Sequence, residues 1–444
     1  MSTDATQKYS TKMQAAVYGT AFFNGNVQSM GTTIVALLVV SLIDENLGLL
    51  VGIILASRQF LTISMSVYAG SMMDNFGTKR VIIGFGFAGI LSAIAYPAIA
   101  PYFGIEMGAG LKNPGLNLIL AIILVQMISG WAEATAWIGS QTLVGQLMRG
   151  QPVYAGRMTF TARLGGFFGP PSIGYAWDIW GPWGGFIFLA IWICGGMIAA
   201  SFLPDTREAT RKASEELKQS EEILKEQATP KKQSSYGETL RLLLIPAVAM
   251  VIMATVMRQT GSGVQTSFYV VWLDKQVGID GSTIGWLIGS ANGASAIAAL
   301  CTGPLMKKYA AHWLLILMVA ISVAAIAITP IFGTNFGTLL FLALLGGICV
   351  RGFAQGLNLP LMMVILARNV APHLQGRVTA LRISFNRFGG VLVPPGMGAL
   401  SQMESVGGLA NAFYIVGIVG VLALGLLAIW VYFSPSIREQ ETGD

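Results

Sequence analysis

The nine residues Arg163-Leu-Gly-Gly-Phe-Phe-Gly-Pro-Pro171 recur as Arg387-Phe-Gly-Gly-Val-Leu-Val-Pro-Pro395, with the Arg, the Gly pair and the Pro pair kept in register 224 residues apart. A period near half the chain is too long for a solenoid and fits a duplicated half-protein. In a membrane protein, duplication of this kind places a substrate site at the interface between the repeats. Each copy also sets an arginine inside an otherwise apolar segment.

That the chain is a membrane protein follows from its charge content. Charged residues are only 11% of it, apolar ones 54%, and the mean hydropathy of +0.65 lies outside the range of soluble domains. Runs of about 20 apolar residues can span the hydrocarbon core as helices, and twelve are present: 15–43, 48–70, 81–103, 116–148, 155–178, 183–203, 241–273, 281–305, 312–332, 337–367, 376–401 and 408–433. The expectation is an all-α membrane protein of twelve helices in two pseudo-symmetric six-helix bundles, 1–204 and 241–444. A charged linker, 205–240, joins them and reads as a solvated segment. The arm Met1 to Lys12 carries no small-residue cleavage site, so the first run is expected to stay as a helix. Even-numbered connections hold Lys79, Arg80, Arg149, Lys307, Lys308 and Arg368, whereas acids gather in odd-numbered ones. Both termini are therefore expected in the cytoplasm, with the chain in the cytoplasmic membrane.

Cys194, Cys301 and Cys349 sit in apolar segments and read as buried small residues. Two histidines at helix ends, without neighbouring ligands, make no metal site. No cofactor and no nucleic-acid partner are expected. Nor is there a nucleophile–base constellation or phosphate loop that would suggest an enzyme.

Polar side chains fall in stripes. The first span carries Asn24 and Gln28, the seventh Arg258, Ser262 and Gln265, and the tenth Arg351, Gln355 and Asn358, each set on one helix face. The fourth carries Gln126, Glu133 and Trp137. A carboxylate at mid-membrane costs about 2.5–3.5 kcal/mol on insertion scales and by default marks a proton or substrate path. Glu133 is thus the candidate proton carrier; the alternative is a static ion pair with Arg58 of the second span.

The second span ends in Gly70-Ser-Met-Met-Asp74-Asn-Phe-Gly77-Thr-Lys79-Arg80. This stretch resembles the cytoplasmic loop signature of the major facilitator superfamily, with Met72 standing for Leu and Asn75 for the usual Arg. The resemblance implies a twelve-helix transporter in which Gly70, Asp74, Gly77 and Arg80 form a gating loop and spans 1, 4, 7 and 10 line a central cavity. The second copy, Gly303-Pro-Leu-Met-Lys307-Lys308, has lysine where the acid would be. The stretch from Gly165 through Gly169 and Pro170 to Gly174 is similar to the family's fifth-helix antiporter signature, with Ile173 in place of a glycine. Gln126 stands where drug antiporters would have arginine.

Arg58, Arg163, Arg258, Arg351, Arg382 and Arg387 all lie in membrane spans, against the single acid Glu133. Exposed to lipid, six arginines would cost about 18 kcal/mol at about 3 kcal/mol each, more than the stability of an ordinary domain. They must face water, carbonyls or a bound anion. The expected function is secondary transport of a small organic anion bearing carboxylate or phosphate, by alternating access and coupled to protons. Arg163 with Arg387, or Arg258 with Arg351, would form the clamp, and Trp131, Trp137, Phe268 and Tyr269 would contact an apolar part of the substrate. A monomer suffices for such a cycle. The alternative is proton-driven efflux of amphipathic drugs, which the antiporter-like glycines favour and the arginine excess opposes.

Overall fold

The structure is a computed structural model that describes residues 10–148, 152–204, 240–335, 339–370 and 372–434. The expected linker 205–240 lies outside the described residues but for Leu240. Backbone N–H and C=O groups find no water in a bilayer, so the apolar runs satisfy them internally as helices. Among the described residues these helices are α1 Thr11–Asn24, α2 Val27–Leu42, α3 Gly48–Phe76, α4 Thr78–Tyr102, α5 Leu116–Met148, α6 Pro152–Ser201, α7 Pro246–Thr266, α8 Phe268–Trp272, α9 Gly281–Met306, α10 Ala311–Ala327, α11 Thr329–Asn335, α12 Leu340–Asn369, α13 Pro372–Gln402 and α14 Leu409–Tyr432.

They make the twelve expected spans once the pairing is followed. The first, seventh and ninth spans are each broken into two helices (α1 and α2, α7 and α8, α10 and α11), while α6 holds both the fifth and the sixth. Within α6 the chain turns at Gly181, whose φ of 63° is open to glycine at little cost. Seven stretches are long and apolar enough to cross a membrane by length and composition alone.

The two most extensive contacts between the halves are α6 on α9 and α13 on α3. Both depend on missing side chains. A Cβ at Gly174 would collide with the Gly281 carbonyl oxygen, and one at Gly285 with that of Pro170. The second pair repeats this: a Cβ at Gly398 would meet the Gly48 carbonyl oxygen, and one at Gly52 that of Pro394. The Pro-Pro of each repeat thus rests on a glycine of the opposite half. These approaches sit at the end of the bundle that carries the connections at 43–47 and 278–280. The repeat glycines Gly165 and Gly169 pack instead on the first span, against the Phe22 carbonyl and Met30. Close packing therefore accounts for the glycines of the antiporter-like stretch.

Candidate functional site

The breaks in the first and seventh spans are held by side chains. Asn26 stands at the N-cap position of α2 and donates through Nδ2 to the carbonyls of Phe22 at 2.9 Å and Ala162 at 2.7 Å, which fixes the gap against α6. At the other break Ser267 donates to the Gly263 carbonyl at 2.6 Å. The first span and the first span of the second half, the seventh, are thus both discontinuous, and breaks of this kind free backbone groups that transporters use to bind their substrates. The signal was present in Gly25-Asn26 and was missed, because a single glycine in an apolar run reads as packing.

Next to the second break lies a buried polar cluster. Arg351 of α12 is fully buried and donates from Nη1 to Gln265 Oε1 and, at 3.1 Å, to Gln355 Oε1. Gln355 in turn donates to Ser262 Oγ at 2.6 Å. Among the described residues, Arg351 Nε and Nη2 have no hydrogen-bond partner, nor do Asn358 Nδ2 and Oδ1 or the Tyr269 hydroxyl, all of them buried. Tyr269 lies within electrostatic reach of Arg351. The sequence places no aspartate or glutamate between Asp280 and Glu404, so no carboxylate from α9 through α13 can neutralise this guanidinium. Buried polar groups are otherwise paired almost without exception.

Arg258 joins this cluster to a second. Its Nη2 donates to Asn386 Oδ1, and it has Arg382 and Arg163 within electrostatic reach, as it has Arg351. Arg382 is buried too. The two arginines of the repeat do not converge on one another as their symmetry suggested. Arg163 Nη1 donates across the halves to Asn292 Oδ1 at 3.4 Å, and Arg387 Nη1 to the Thr62 carbonyl on α3 at 3.2 Å. Each reaches its own partner in the other half, so Arg163 neighbours Arg258 while Arg387 is engaged elsewhere.

In the first half one arginine has an acidic partner. Arg58 and Glu133, both buried, form an ion pair, and Ser129 Oγ donates to Glu133 Oε1 at 3.0 Å. The pair packs beneath Gly31, where a Cβ would stand 3.1 Å from Glu133 Oε1, and α5 passes close over the Arg58 backbone at Gly130. Gln126, at the antiporter arginine position, accepts from the Tyr96 hydroxyl. The structure therefore has the ion pair that stood as the alternative role for Glu133.

Other expected site residues divide. Asn24 is buried against α5, donating to Ser140 Oγ at 3.1 Å, and Trp137 lies over Gly25 at the break, so both hold helices together. Gln28 is exposed. Gly77, at φ 86°, makes the turn from α3 to α4, and Arg80 is exposed beyond it. Gly70 lies in α3, and the Asp74 side chain lies outside the described residues. Lys79 donates to the carbonyls of Ser201 and Leu203 at 2.6 and 2.7 Å, covering the open C-terminal end of α6.

One acid went unnoticed. Asp178, four residues beyond Gly174, accepts from the backbone N–H groups of Gly281 at 2.8 Å and Ser282 at 2.7 Å, capping α9 from the opposite half. Its repeat partner is Gln402, which donates to the Asn46 carbonyl at 2.6 Å. Helix N-termini favour carboxylates, so only the first of these latches is charge-assisted. Its position at the end of an apolar run made it look like a boundary residue. Asp178→Ala is expected to loosen this end by about 1 kcal/mol, the usual worth of a cap. A Ser282→Cys probe should then react with a membrane-impermeant maleimide roughly fivefold faster; an unchanged rate would mean that Asp178 does not hold the halves together.

Comparison with known proteins agrees with this architecture. The profile described as "Major Facilitator Superfamily" matches residues 21–260 and 251–443. The chain superposes on a variant of the nucleoside transporter NupG with a TM-score of 0.67 at 15% identity, covering 95% of this chain and 100% of that one. Against the xylose transporter XylE from E. coli the TM-score is 0.65 at 15% identity, covering 96% and 98%. With a peptide transporter, POT, in complex with sulfate it is 0.65 at 14% identity, covering 97% and 95%. A curated relative, a putative inorganic phosphate cotransporter of Drosophila ananassae, is 32% identical over 94 residues, about a fifth of either chain. Duplicated six-helix halves and a profile match running through both of them lead to one conclusion: this multi-pass membrane protein belongs to the Major Facilitator Superfamily and is a secondary transporter rather than an enzyme.

Proposed function

We propose that the protein carries a small organic anion, bearing carboxylate or phosphate, across the cytoplasmic membrane by alternating access. The observation that carries this reading is the free edge of Arg351. Nε and Nη2 lie on the same side of a guanidinium and bind carboxylate or phosphate in bidentate fashion, and here both are buried without a partner. The unpartnered Tyr269 hydroxyl supplies a further donor nearby, and the unpartnered Asn358 amide lies about two turns along α12. Arg258, with Arg163 and Arg382 in reach, adds positive potential beside them.

The anion would enter when the cluster opens and would favour the occluded state through these contacts. Glu133 would take up a proton as its ion pair with Arg58 parts, coupling transport to the pH gradient. With both termini in the cytoplasm, the tight glycine contacts and the Asp178 latch face outside. A monomer contains every group this scheme requires. The short match to a putative inorganic phosphate cotransporter lends support to an anionic cargo.

The test is ligand-induced stabilisation of the purified protein by a panel of monocarboxylates, dicarboxylates, phosphate esters and lipophilic cations. A ligand at 100 times its Kd adds about 2.7 kcal/mol, so an anion should raise the Tm clearly. Stabilisation by cations alone would favour drug efflux instead.

A further inference from the structure

We propose that the groove between α9, α10 and α12 binds an anionic glycerophospholipid, with the headgroup phosphate on Lys307 and Lys308 and one acyl chain between Pro304, Trp313 and Phe353. The groove has a volume of about 630 Å³ and an apolar lining. Its floor is the buried Leu314 and Leu357, and its rim, Leu300 and Leu317, is exposed. Pro304 has no N–H to give the preceding turn of α9, and Gly303 beside it has open space where a side chain would be. The end of α9 therefore leaves a furrow where a leucine-rich helix pair would close.

What distinguishes this furrow from ordinary lipid-facing surface is its mouth. The turn joining α9 to α10 exposes Lys307 and Lys308, and Tyr309 and Trp313 follow at the level where aromatic side chains mark a membrane interface. No aspartate or glutamate occurs in the sequence from 281 to 403 to neutralise these lysines locally. In the first-half copy of this turn the signature carries Asp74; its second-half counterpart has Lys307 in that place. Leu300 lies seven residues from Lys307, so the furrow runs about 10 Å inward from the basic turn. That geometry suits a headgroup at the mouth and the upper part of one acyl chain inside.

An acyl chain already in the bilayer gains no hydrophobic transfer on entering a groove, so selectivity must come from the headgroup. Each lysine near an anionic surface contributes roughly fivefold, which for two predicts about a 30-fold preference for phosphatidylglycerol over phosphatidylethanolamine. A free phosphate ion has no tail to hold it at the membrane surface beside the lysines, so it competes poorly with a lipid headgroup already concentrated there.

The experiment reconstitutes the full chain in vesicles of phosphatidylcholine doped with photoactivatable phosphatidylglycerol or phosphatidylethanolamine, then maps cross-linked peptides. Cross-linking at 300–318 should favour phosphatidylglycerol and should fall about 30-fold in Lys307→Gln/Lys308→Gln. Excess inorganic phosphate should leave it unchanged. Leu317→Trp, which fills the furrow but keeps both lysines, should also suppress it. Equal capture of both lipids, loss of the signal to inorganic phosphate, or cross-links joining two copies of the protein through this face would overturn the proposal.

Discussion

Arg351→Ala is expected to abolish anion transport while leaving the protein as stable as before or more so. Arg351 is fully buried, and among the described residues it is bonded only to the neutral Gln265 and Gln355 and has two donors without partners. A buried charge without a counterion costs folding free energy; removing it relieves that cost. Binding behaves in the opposite way. Losing a buried, hydrogen-bonded partner of a charged ligand costs about 2–5 kcal/mol or more, a fall in affinity of at least roughly 30-fold. Arg351→Lys should fail nearly as badly, since an ammonium keeps the charge but not the bidentate fork. Thermal unfolding and ligand titration of the two variants separate the roles: a structural arginine would lose stability together with binding.

Glu133→Gln should behave in the reverse sense and destabilise the first half. It would leave the Arg58 guanidinium buried beside Gly31 without its carboxylate. Breaking a buried pair by removing one partner costs about 3–5 kcal/mol, a Tm loss of roughly 10 °C for a bundle of this size. Arg58→Gln/Glu133→Gln removes both charges and should recover most of that loss, the coupling expected of residues in contact. The double variant is the informative one for function. If Glu133 carries the proton, this folded protein still binds anion but no longer accumulates it on a pH gradient. Gradient-driven accumulation that survives in the double variant would reassign the pair to structure.

The helices were legible in the sequence because bilayer thickness and hydrogen bonding leave so few choices. Apolar run lengths placed all twelve spans, and the repeat of Arg-x-Gly-Gly-x-x-x-Pro-Pro announced two halves. What run lengths cannot resolve are the breaks, since Gly25-Asn26 and Ser267 interrupt a helix without interrupting its hydrophobicity. The ion pair of Arg58 with Glu133 was open to inference as well, because opposite charges in an apolar interior have few other ways to lower their cost. The partners of the remaining arginines were not. Pseudo-symmetry relates Arg163 to Arg387 but does not require them to meet; each instead turns to the helix it packs on, α9 and α3 respectively. The same limit applies to Asn24, which periodicity marks as an inward-facing polar residue without saying whether it meets a cavity or, as here, Ser140. Asp178 was hidden for another reason, as its partners are backbone N–H groups 103 and 104 residues away, which carry no residue signature.

The central claim, an anion held by Arg351 and moved on the proton gradient, is tested most directly by uptake into proteoliposomes under an imposed pH gradient of either sign. Labelled carboxylates, phosphate esters and lipophilic cations are compared in the native protein and in Arg351→Ala. The account predicts that one anion class accumulates beyond its passive level, that the gradient sets the direction, and that Arg351→Ala reduces uptake to the level of empty vesicles. Gradient-driven movement of cations with anions left at their passive level, or full anion accumulation by Arg351→Ala, would contradict it.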